Sequence, residues 1–239
     1  MTPDRIVSVV KDTPHTPPRR GRQLYDFILK TPAPRCLELG FAHGVGTVWM
    51  AAAAEELNGK VVGVDILSAK ERLPSAAQLV AEAGLDRFVE LHFDPISYTW
   101  HLQRNLDAYV AEPFDFIFID GAHTWDVDGF TFFLCEKVLK PGGWILFDDL
   151  DWNYRRSAAA MSNPQVQALT DEEKDLQQVR AVWEKLVLPR PAFGEFTEDD
   201  GWGWAQKSLS ANAPKELKIT HTQRLSIADR VLRKLKAGI

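Results

Sequence analysis

Short apolar runs alternate with longer stretches of helical periodicity over most of this chain. The runs have the length of β-strands and cover residues 36–39, 60–64, 87–93, 114–119 and 144–147. The intervening stretches predict helices at residues 21–30, 47–56, 75–83 and 100–111, with a further amphipathic stretch before the turn at residues 140–143. This regular alternation predicts an α/β fold with a doubly wound, mainly parallel sheet and right-handed crossovers.

The pattern changes on both sides of this alternating region. Residues 1–20 contain four prolines and little apolar periodicity, which predicts a flexible N-terminal arm. Residues 171–186 predict one charged helix, and residues 193–207 predict a β-hairpin with its turn at residues 198–201. The hairpin would add two antiparallel strands to the sheet.

The C-terminal segment, residues 211–239, is basic. Between residues 214 and 239 it carries seven basic residues against two acidic ones, with apolar residues at helical spacing. It predicts a basic amphipathic helix that either packs on the domain or serves a homo-oligomer contact or an acidic partner. The main domain is therefore expected to span residues 21–210.

Composition narrows the class of protein. The 239 residues are 45% hydrophobic and 26% charged, which is typical of a soluble globular chain. A net charge of -5 gives no reason to expect nucleic acid as the main partner, and no apolar run is long enough to span a membrane. Cys36 and Cys135 lie in apolar runs and are predicted to be buried free thiols, consistent with a cytoplasmic location.

Acidic residues follow two neighbouring strands of the predicted sheet. Asp120 ends the run at residues 114–119, and Asp148 and Asp149 end the run at residues 144–147. Parallel strands would deliver these three carboxylates to the same edge of the sheet, where ligands of such sheets bind. Each acid taken alone is also an ordinary turn or N-cap residue. Together they predict a site for a hard divalent cation such as Mg²⁺.

A glycine-rich loop and two further acids point to a nucleoside-type ligand. Glu38, Gly40, Gly44 and Gly46 bracket a loop between a strand and a helix, where backbone N–H groups approach a ligand. Asp65 ends the next strand, at a position suited to a ribose diol.

The acid after the third strand has two possible roles. By position, Asp94 would lie near a nucleobase and accept a hydrogen bond from its exocyclic amine. It is equally a turn acid before Pro95.

These residues resemble a class I S-adenosylmethionine-dependent methyltransferase. Glu38 to Gly46 is similar to the first motif of that superfamily, Asp65 to its ribose-binding acid, and residues 114–120 to its fourth strand and following loop. The resemblance covers about half of the chain and implies a Rossmann-like, seven-stranded sheet with a C-terminal antiparallel hairpin. The residues expected to bind the cofactor are Glu38, Gly40, Phe41, Gly44, Gly46, Asp65, Asp94 and Asp120.

A narrower resemblance lies within this superfamily. Asp120 and His123, followed by Asp148 and Asp149, are similar to the magnesium-dependent O-methyltransferases that modify macrolide sugar hydroxyls, of the macrocin and mycinamicin type. Catechol and caffeoyl-coenzyme A O-methyltransferases resemble the pattern more distantly. The resemblance implies S-adenosylmethionine and Mg²⁺ as cofactors, with the three acids holding the metal.

His123 is then the expected general base. An imidazole with a pKa near ~6.5 is largely neutral at pH 7 and can take the proton of a hydroxyl nucleophile. Taken alone, His123 is also an ordinary loop histidine. The acceptor is expected to be a small hydroxylated molecule, covered by a lid-like insert at about residues 151–172. Candidate substrate contacts are Trp125, Trp152, Tyr154 and Arg155.

Other functions stay open on the residues alone. They are a metal-independent small-molecule methyltransferase, a metal-dependent hydrolase, a nucleotide-dependent oxidoreductase and a non-catalytic methyltransferase-like binding protein. The oxidoreductase is disfavoured by the absence of a G-x-G-x-x-G loop, and the hydrolase by the absence of histidine-rich metal spacing.

Overall fold

The structure is a computed structural model and describes residues 1–209. The strands are β1 (Arg35–Leu39), β2 (Lys60–Ile66), β3 (Val89–Asp94), β4 (Phe114–Ile119), β5 (Leu139–Phe147), β6 (Phe193–Asp199) and β7 (Trp202–Lys207). The helices up to β5 are α1 (Pro3–Val9), α2 (Pro18–Ile28), α3 (Val45–Glu56), α4 (Ala76–Ala83), α5 (Tyr98–Ala111) and α6 (Trp125–Val138). Shorter helices after β5 are α7 (Ala158–Met161), α8 (Pro164–Gln167), α9 (Asp171–Asp175) and α10 (Gln178–Val182).

The strands of this part of the chain form a single sheet in the order β3-β2-β1-β4-β5-β7-β6. Strands β1 to β5 pair in parallel, whereas β7 is antiparallel to both β5 and β6. The strand order reverses beside β1, because β2 pairs on one side of it and β4 on the other. The predicted α/β fold is therefore confirmed: a seven-stranded, mainly parallel, doubly wound sheet with a C-terminal antiparallel hairpin.

Each face of the sheet carries its own core, because successive residues of a strand point to opposite faces. Phe116 and Phe118 of β4 pack with α2 and α3, while Ile117 packs with α5, α6 and α10. Burial on both faces explains why the strands appear in the sequence as continuous apolar runs. Cys36 and Cys135 lie in these two cores as free thiols, as predicted.

Residues 1–20 are folded onto the domain, so the expectation of a flexible arm is wrong for them. Ile6 of α1 and Val10 just beyond it are buried in the core beside α3, and the amino group of Met1 lies 2.6 Å from Glu55 Oε2. A seven-residue helix is marginal by itself, so these tertiary contacts stabilise it. Two buried apolar residues are too few to show a periodicity in the sequence.

The charged helix predicted at residues 171–186 is broken into pieces. Helix α9 begins with a capping box between Thr170 and Glu173 and ends at Asp175, and the chain is extended at Leu176. Helix α10 then starts at Gln178 and continues into a π-helical turn at Trp183–Val187. The break lets α10 and this turn bury their apolar residues against the sheet, while α9 stays exposed.

The predicted basic helix at residues 211–239 lies outside the described residues, so its proposed oligomer contact stays a prediction. The lid-like role of residues 151–172 also stays a prediction. In the structure they form short exposed helical turns at Tyr154–Arg156, α7 and α8. Within residues 1–209, no helix is long and apolar enough to cross a membrane.

Candidate active site

A cavity of about 580 Å³ opens at the carboxyl edge of the sheet, beside the point where the strand order reverses. This is the position at which open α/β sheets bind ligands, and the volume suits a small molecule. The predicted cofactor residues in its wall are Glu38, Gly40, Phe41 and Asp65. The predicted catalytic and metal residues in its wall are Asp120, His123, Asp148 and Asp149. The sheet therefore brings together the two sets of residues that the sequence placed far apart.

Gly40 allows the loop after β1 to pass directly over the end of β4. Its φ is +90°, and a Cβ there would lie 2.3 Å from the backbone oxygen of Asp120 and 2.4 Å from Gly121 Cα. No side chain fits in that space, and the left-handed backbone itself favours glycine. The close crossing places the glycine loop beside the acid that follows β4.

Asp65 shapes the same loop from β2. Its Oδ2 accepts the backbone N–H groups of Phe41 at 2.9 Å and Ala42 at 2.7 Å, and its Oδ1 accepts that of Ile66 at 2.6 Å. An ionised carboxylate offers roughly four acceptor positions, so capacity for a ribose hydroxyl remains. The predicted ribose acid is thus also the group that fixes the loop conformation.

Gly44 and Gly46, which the sequence assigned to the cofactor, pack against protein instead. A Cβ on Gly44 would lie 2.7 Å from Ala76 Cβ in α4, and a Cβ on Gly46 would lie 2.5 Å from Glu38 Oε1. These glycines let α3 approach α4 and make room for the Glu38 carboxylate. They support the cavity and do not line it.

Glu38 is almost fully buried at the end of β1, next to the cavity. Burial raises the pKa of Glu38 to about 8, even though the Thr47 hydroxyl donates a hydrogen bond to its carboxylate. Asp65 adds to the increase as a second negative charge. A cation bound beside the Glu38 carboxyl would lower its pKa and favour the ionised form.

Three carboxyl groups converge beyond β4 and β5, as the strand ends predicted. Burial, followed by the negative charge of Asp148, raises the pKa of Asp120 well above its ordinary value. Burial and Asp149 raise the pKa of Asp148 to about 6, opposed by hydrogen bonds to its Oδ1 from the Asp149 N–H at 2.7 Å and the Trp202 indole at 2.6 Å. Like charges in this space repel, which favours protonation or a bound cation.

The side chains do not close around a single point. Among residues 1–209, no group of three or more Asp, Glu, His or Cys side chains has the geometry to hold a metal ion. Asp148 points one oxygen at Trp202, and Asp149 faces His123. The oxygen donors fit Mg²⁺ chemically. The expectation of an assembled three-carboxylate metal site is nevertheless not met in this arrangement.

His123 lies between the acids and the outer loop. Its Nε2 is 3.7 Å from Asp149 Oδ2, and its ring centroid is 5.5 Å from that of Trp152. Burial lowers the pKa of His123, and the Asp149 carboxylate opposes that shift without reversing it. A neutral imidazole held in a cavity wall is a competent proton acceptor.

Asp94 does not reach the cavity, so its predicted contact with a nucleobase is wrong. The carboxyl is fully buried, its Oδ1 accepts the N–H groups of Ile96 at 2.9 Å and Ser97 at 3.2 Å, and its Oδ2 pairs with Arg104. Burial acts to raise its pKa, but these hydrogen bonds hold the pKa of Asp94 below its ordinary value. The turn-acid interpretation is the correct one. Ile96 and Ser97 line the cavity in its place.

Two of the four candidate substrate residues lie near the base. Trp152 packs against the His123 ring, and Tyr154 meets Trp152 edge-on at 5.4 Å between ring centroids. Neither ring is part of the cavity wall, so their link to the cavity is through His123.

The other two candidates point elsewhere. Arg155 is paired with Asp171 at 2.8 Å and with Asp175 at 2.6 Å, so its guanidinium is occupied. Trp125 is 41% exposed at the start of α6 and is not part of the cavity wall. Neither residue is placed to contact a molecule bound in the cavity.

The N-terminal segment supplies cavity residues that sequence reasoning missed. His15, Thr16 and Arg20 line the cavity. The Arg20 guanidinium lies 4.2 Å from the Trp202 ring centroid and donates to the Asp199 carbonyl at 3.0 Å, which ties the segment to the β6–β7 turn. These contacts join residues nearly 180 positions apart. No local pattern could have indicated them.

Known proteins share this architecture. Residues 37–150 match a family described as a methyltransferase domain. No curated protein is similar enough in sequence to count as a relative. The family match runs from β1 to the residues just after β5 and so includes every predicted catalytic and metal residue, but not the cavity residues of the N-terminal segment.

Solved structures extend the likeness over most of the chain. The O-methyltransferase TomG from Streptomyces achromogenes, which is involved in tomaymycin synthesis and was solved with S-adenosylmethionine, is 24% identical with a TM-score of 0.60, covering 86% of this chain and 89% of TomG. An O-methyltransferase from Bacillus cereus, solved with S-adenosylhomocysteine, is 23% identical with a TM-score of 0.61, covering 86% and 90%. At these identities the likeness shows the shared fold.

A third structure matches a longer part of this chain. MycE from the mycinamycin biosynthetic pathway, solved with Mg and S-adenosylhomocysteine, is 16% identical with a TM-score of 0.53. The match covers 98% of this chain but 58% of MycE. These folds agree with the seven-stranded, Rossmann-like sheet that the resemblance implied.

Proposed function

We propose that this chain, whose residues 37–150 match a methyltransferase domain, is a class I S-adenosylmethionine-dependent O-methyltransferase that acts on a hydroxyl of a small molecule. One observation carries the proposal: His123 and the acids after β4 and β5 line the same cavity as the glycine loop and Asp65. A methyl donor held by that loop and an acceptor hydroxyl beside His123 would share one enclosed space. Holding the two reactants in line is the main requirement of a methyl displacement.

His123 is the proposed general base. Burial lowers its pKa, so the imidazole is neutral near pH 7 and accepts the hydroxyl proton as the new carbon–oxygen bond forms. The Asp149 carboxylate, 3.7 Å away, stabilises by its negative charge the imidazolium that results. The Trp152 ring beside the imidazole suits a sugar or another ring of a natural-product scaffold.

Asp120, Asp148 and Asp149 are the proposed Mg²⁺ ligands. Support comes from their donor type and from the unfavourable clustering of three acids that a cation would relieve. When bound, Mg²⁺ would supply Lewis-acid stabilisation of the negative charge that develops on the acceptor oxygen. MycE, solved with Mg, has a similar fold.

A second candidate is an O-methyltransferase that needs no metal. It is favoured by the closeness of Asp149 to His123, with 3.7 Å between Oδ2 and Nε2, and by the open arrangement of the acids within residues 1–209. In this alternative Asp120 stays protonated and acts as a hydrogen-bond donor, because burial raises its pKa well above the ordinary value. Asp148, with a pKa of about 6, is ionised at pH 7 and accepts hydrogen bonds from the Trp202 indole and the Asp149 N–H.

One experiment separates these candidates. The full chain is incubated with S-adenosylmethionine and hydroxylated sugars, catechols and macrolide scaffolds, with either Mg²⁺ or excess EDTA, and products are screened by mass spectrometry for the gain of one methylene unit. Transfer that requires Mg²⁺ supports the first candidate, and undiminished transfer in EDTA supports the second. Calorimetric binding of S-adenosylmethionine without transfer to any hydroxyl would contradict both and favour a binding protein.

A further inference from the structure

Two buried polar side chains lie beneath the loop that carries His123, and the proposed reaction does not use them. Tyr98 begins α5 and is 3% exposed, while Asp128 lies in the first turns of α6 and is 1% exposed. The Tyr98 hydroxyl donates a hydrogen bond to Asp128 Oδ1. Burying a carboxylate and a phenol is unfavourable unless both are hydrogen-bonded, so this pair needs further partners. The loop supplies them.

Tyr98 holds the first half of this loop. Its hydroxyl accepts the backbone N–H of Ala122 at 3.0 Å. Its ring lies against Gly121, where a Cβ would come within 2.4 Å of Tyr98 Cε1. A glycine at this position is what allows the ring to pack under the backbone.

Asp128 holds the second half. Its carboxylate accepts the hydrogen bond of the Tyr98 hydroxyl and so holds that hydroxyl in place under Ala122. Burial raises the pKa of Asp128 to about 6, and the Tyr98 hydroxyl and the nearby backbone N–H groups of Thr124 and His123 oppose that shift. The backbone N–H of Asp128 donates in turn to the Thr124 carbonyl at 2.9 Å. Residues 121–124 therefore lie against these two side chains, with a hydrogen bond at Ala122 and a packing contact at Gly121.

The loop needs this support because His123 has a φ of +55°. A residue other than glycine in this left-handed region carries a conformational cost, and such a backbone persists only where its surroundings over-determine it. Without the anchors, relaxation to an ordinary φ would swing the imidazole away from Asp149 and the cavity. The anchors lie on two different helices, so the packing of α5 against α6 is transmitted to the loop.

We infer that Tyr98 and Asp128 are positioning residues, which hold residues 121–124 in the conformation that presents His123 to the acceptor. The inference rests on the proposed role of His123. Asp128 is not part of the cavity wall, and it acts only through the loop backbone. It is distinct from the acids at Asp120, Asp148 and Asp149, whose carboxyl groups face the cavity.

The first test measures the loop directly. Tyr98→Phe keeps the ring on Gly121 and removes the hydroxyl, and Tyr109→Phe is the matched control, because this buried tyrosine of α5 bonds His101 Nε2 at 2.8 Å, away from the loop. Amide hydrogen exchange of residues 121–124 is followed by NMR on the full chain with saturating S-adenosylmethionine. We expect exchange about tenfold faster in Tyr98→Phe, as for the loss of one hydrogen bond, and unchanged in Tyr109→Phe. Unchanged exchange in Tyr98→Phe, or an equal increase in both variants, would overturn the inference.

The second test measures the turnover of Asp128→Asn, in which the side chain keeps the size and shape of aspartate. With an acceptor from the methyl-transfer screen, Asp128→Asn should lower kcat about tenfold with little change in KM for S-adenosylmethionine, and should add no loss in a His123→Ala background. Equal losses with and without His123 would overturn the positioning role. If His123→Ala turns over normally, the proposed role of His123 as the base fails, and the positioning role fails with it. That outcome differs from a failure of the positioning role alone, in which His123→Ala is impaired but Asp128→Asn and Tyr98→Phe are not.

Discussion

His123 Nε2 lies 3.7 Å from Asp149 Oδ2, and both residues hold left-handed backbone conformations just beyond neighbouring parallel strands, with φ of 55° and 57°. Strained backbone at two facing positions is typical of functional sites, where surrounding contacts maintain it. As placed, the negative charge of Asp149 acts to raise the pKa of the imidazole against the effect of burial. If Asp149 bound a metal ion instead, this effect on His123 would be weaker. This one contact therefore separates the metal-dependent mechanism from the metal-independent one.

Replacing His123 should remove the base and leave the cofactor in place. We expect His123→Ala to lower turnover by ~100-fold or more, the usual loss on removal of a general base. Calorimetric affinity for S-adenosylmethionine should stay close to that of the wild type. His92→Ala is the control, because His92 lies on β3 paired with Glu90 at 3.0 Å and outside the cavity. Wild-type turnover in His123→Ala would show that the proton leaves by another route.

The role of the acids can be read from the dependence on Mg²⁺. If they hold the ion, Asp120→Asn should abolish the increase in methyl transfer that Mg²⁺ produces, because an amide is a weaker ligand than a carboxylate. The matched control is Asp151→Asn. Asp151 lies two residues after Asp149, but its carboxylate is paired with Arg180 at 2.7 Å. Asp151→Asn should keep the Mg²⁺ response. A wild-type enzyme that is fully active in excess EDTA would rule out the metal mechanism.

Asp65 and Asp94 make a matched pair on adjacent strands, since Asp94 pairs with the residue after Asp65 in the sheet register. Asp65→Asn should weaken S-adenosylmethionine binding about ten- to hundredfold, because it alters the acceptor for both the loop N–H groups and the ribose. Asp94→Asn should instead lower the free energy of unfolding by about 1–3 kcal/mol, because its buried pairing with Arg104 is lost. Calorimetry and thermal melting measure the two effects. A large affinity loss in Asp94→Asn would place that acid back in the cofactor site.

Glu38 should make stability depend on pH. Its pKa is about 8 in the folded state against 4.5 ordinarily, so between these values the folded chain binds more protons than the unfolded chain. Its contribution to the free energy of unfolding therefore falls as pH rises from about 4.5 to about 8. Glu38→Gln, which can still accept from Thr47, should melt at a higher temperature than the wild type above pH 8, and the difference should shrink toward pH 4.5.

The exposed Glu90→Gln provides the control for that experiment, since Glu90 lies on β3 outside the cavity. Its melting temperature should follow the wild type at both pH values. An equal difference between Glu38→Gln and the wild type at both pH values would contradict the assigned pKa. All measurements are made without S-adenosylmethionine, because a cation beside Glu38 would favour its ionised form.

The sequence predicted the sheet well because each central strand is buried on both faces. The run at residues 114–119 coincides with β4, and Asp120, Asp148 and Asp149 do meet beyond the strand ends. Prediction from the sequence failed where the structure depends on few contacts or on contacts between residues far apart in the chain. The helix at Pro3–Val9 is stabilised by Ile6 and Val10 against α3, and such contacts leave no periodicity in a segment so short.

By itself, then, the sequence determined the order of the strands, the helices between β1 and β5, and which residues end the strands. These are local properties, set by apolar periodicity, glycine and the acids that follow each strand. Tertiary structure decided which of these residues face the cavity: Asp65 does and Asp94 does not, and the N-terminal segment brings in Arg20. It also decided the conformation of His123, through Tyr98 and Asp128. Side-chain direction depends on contacts between elements distant in the chain, and no local pattern records them.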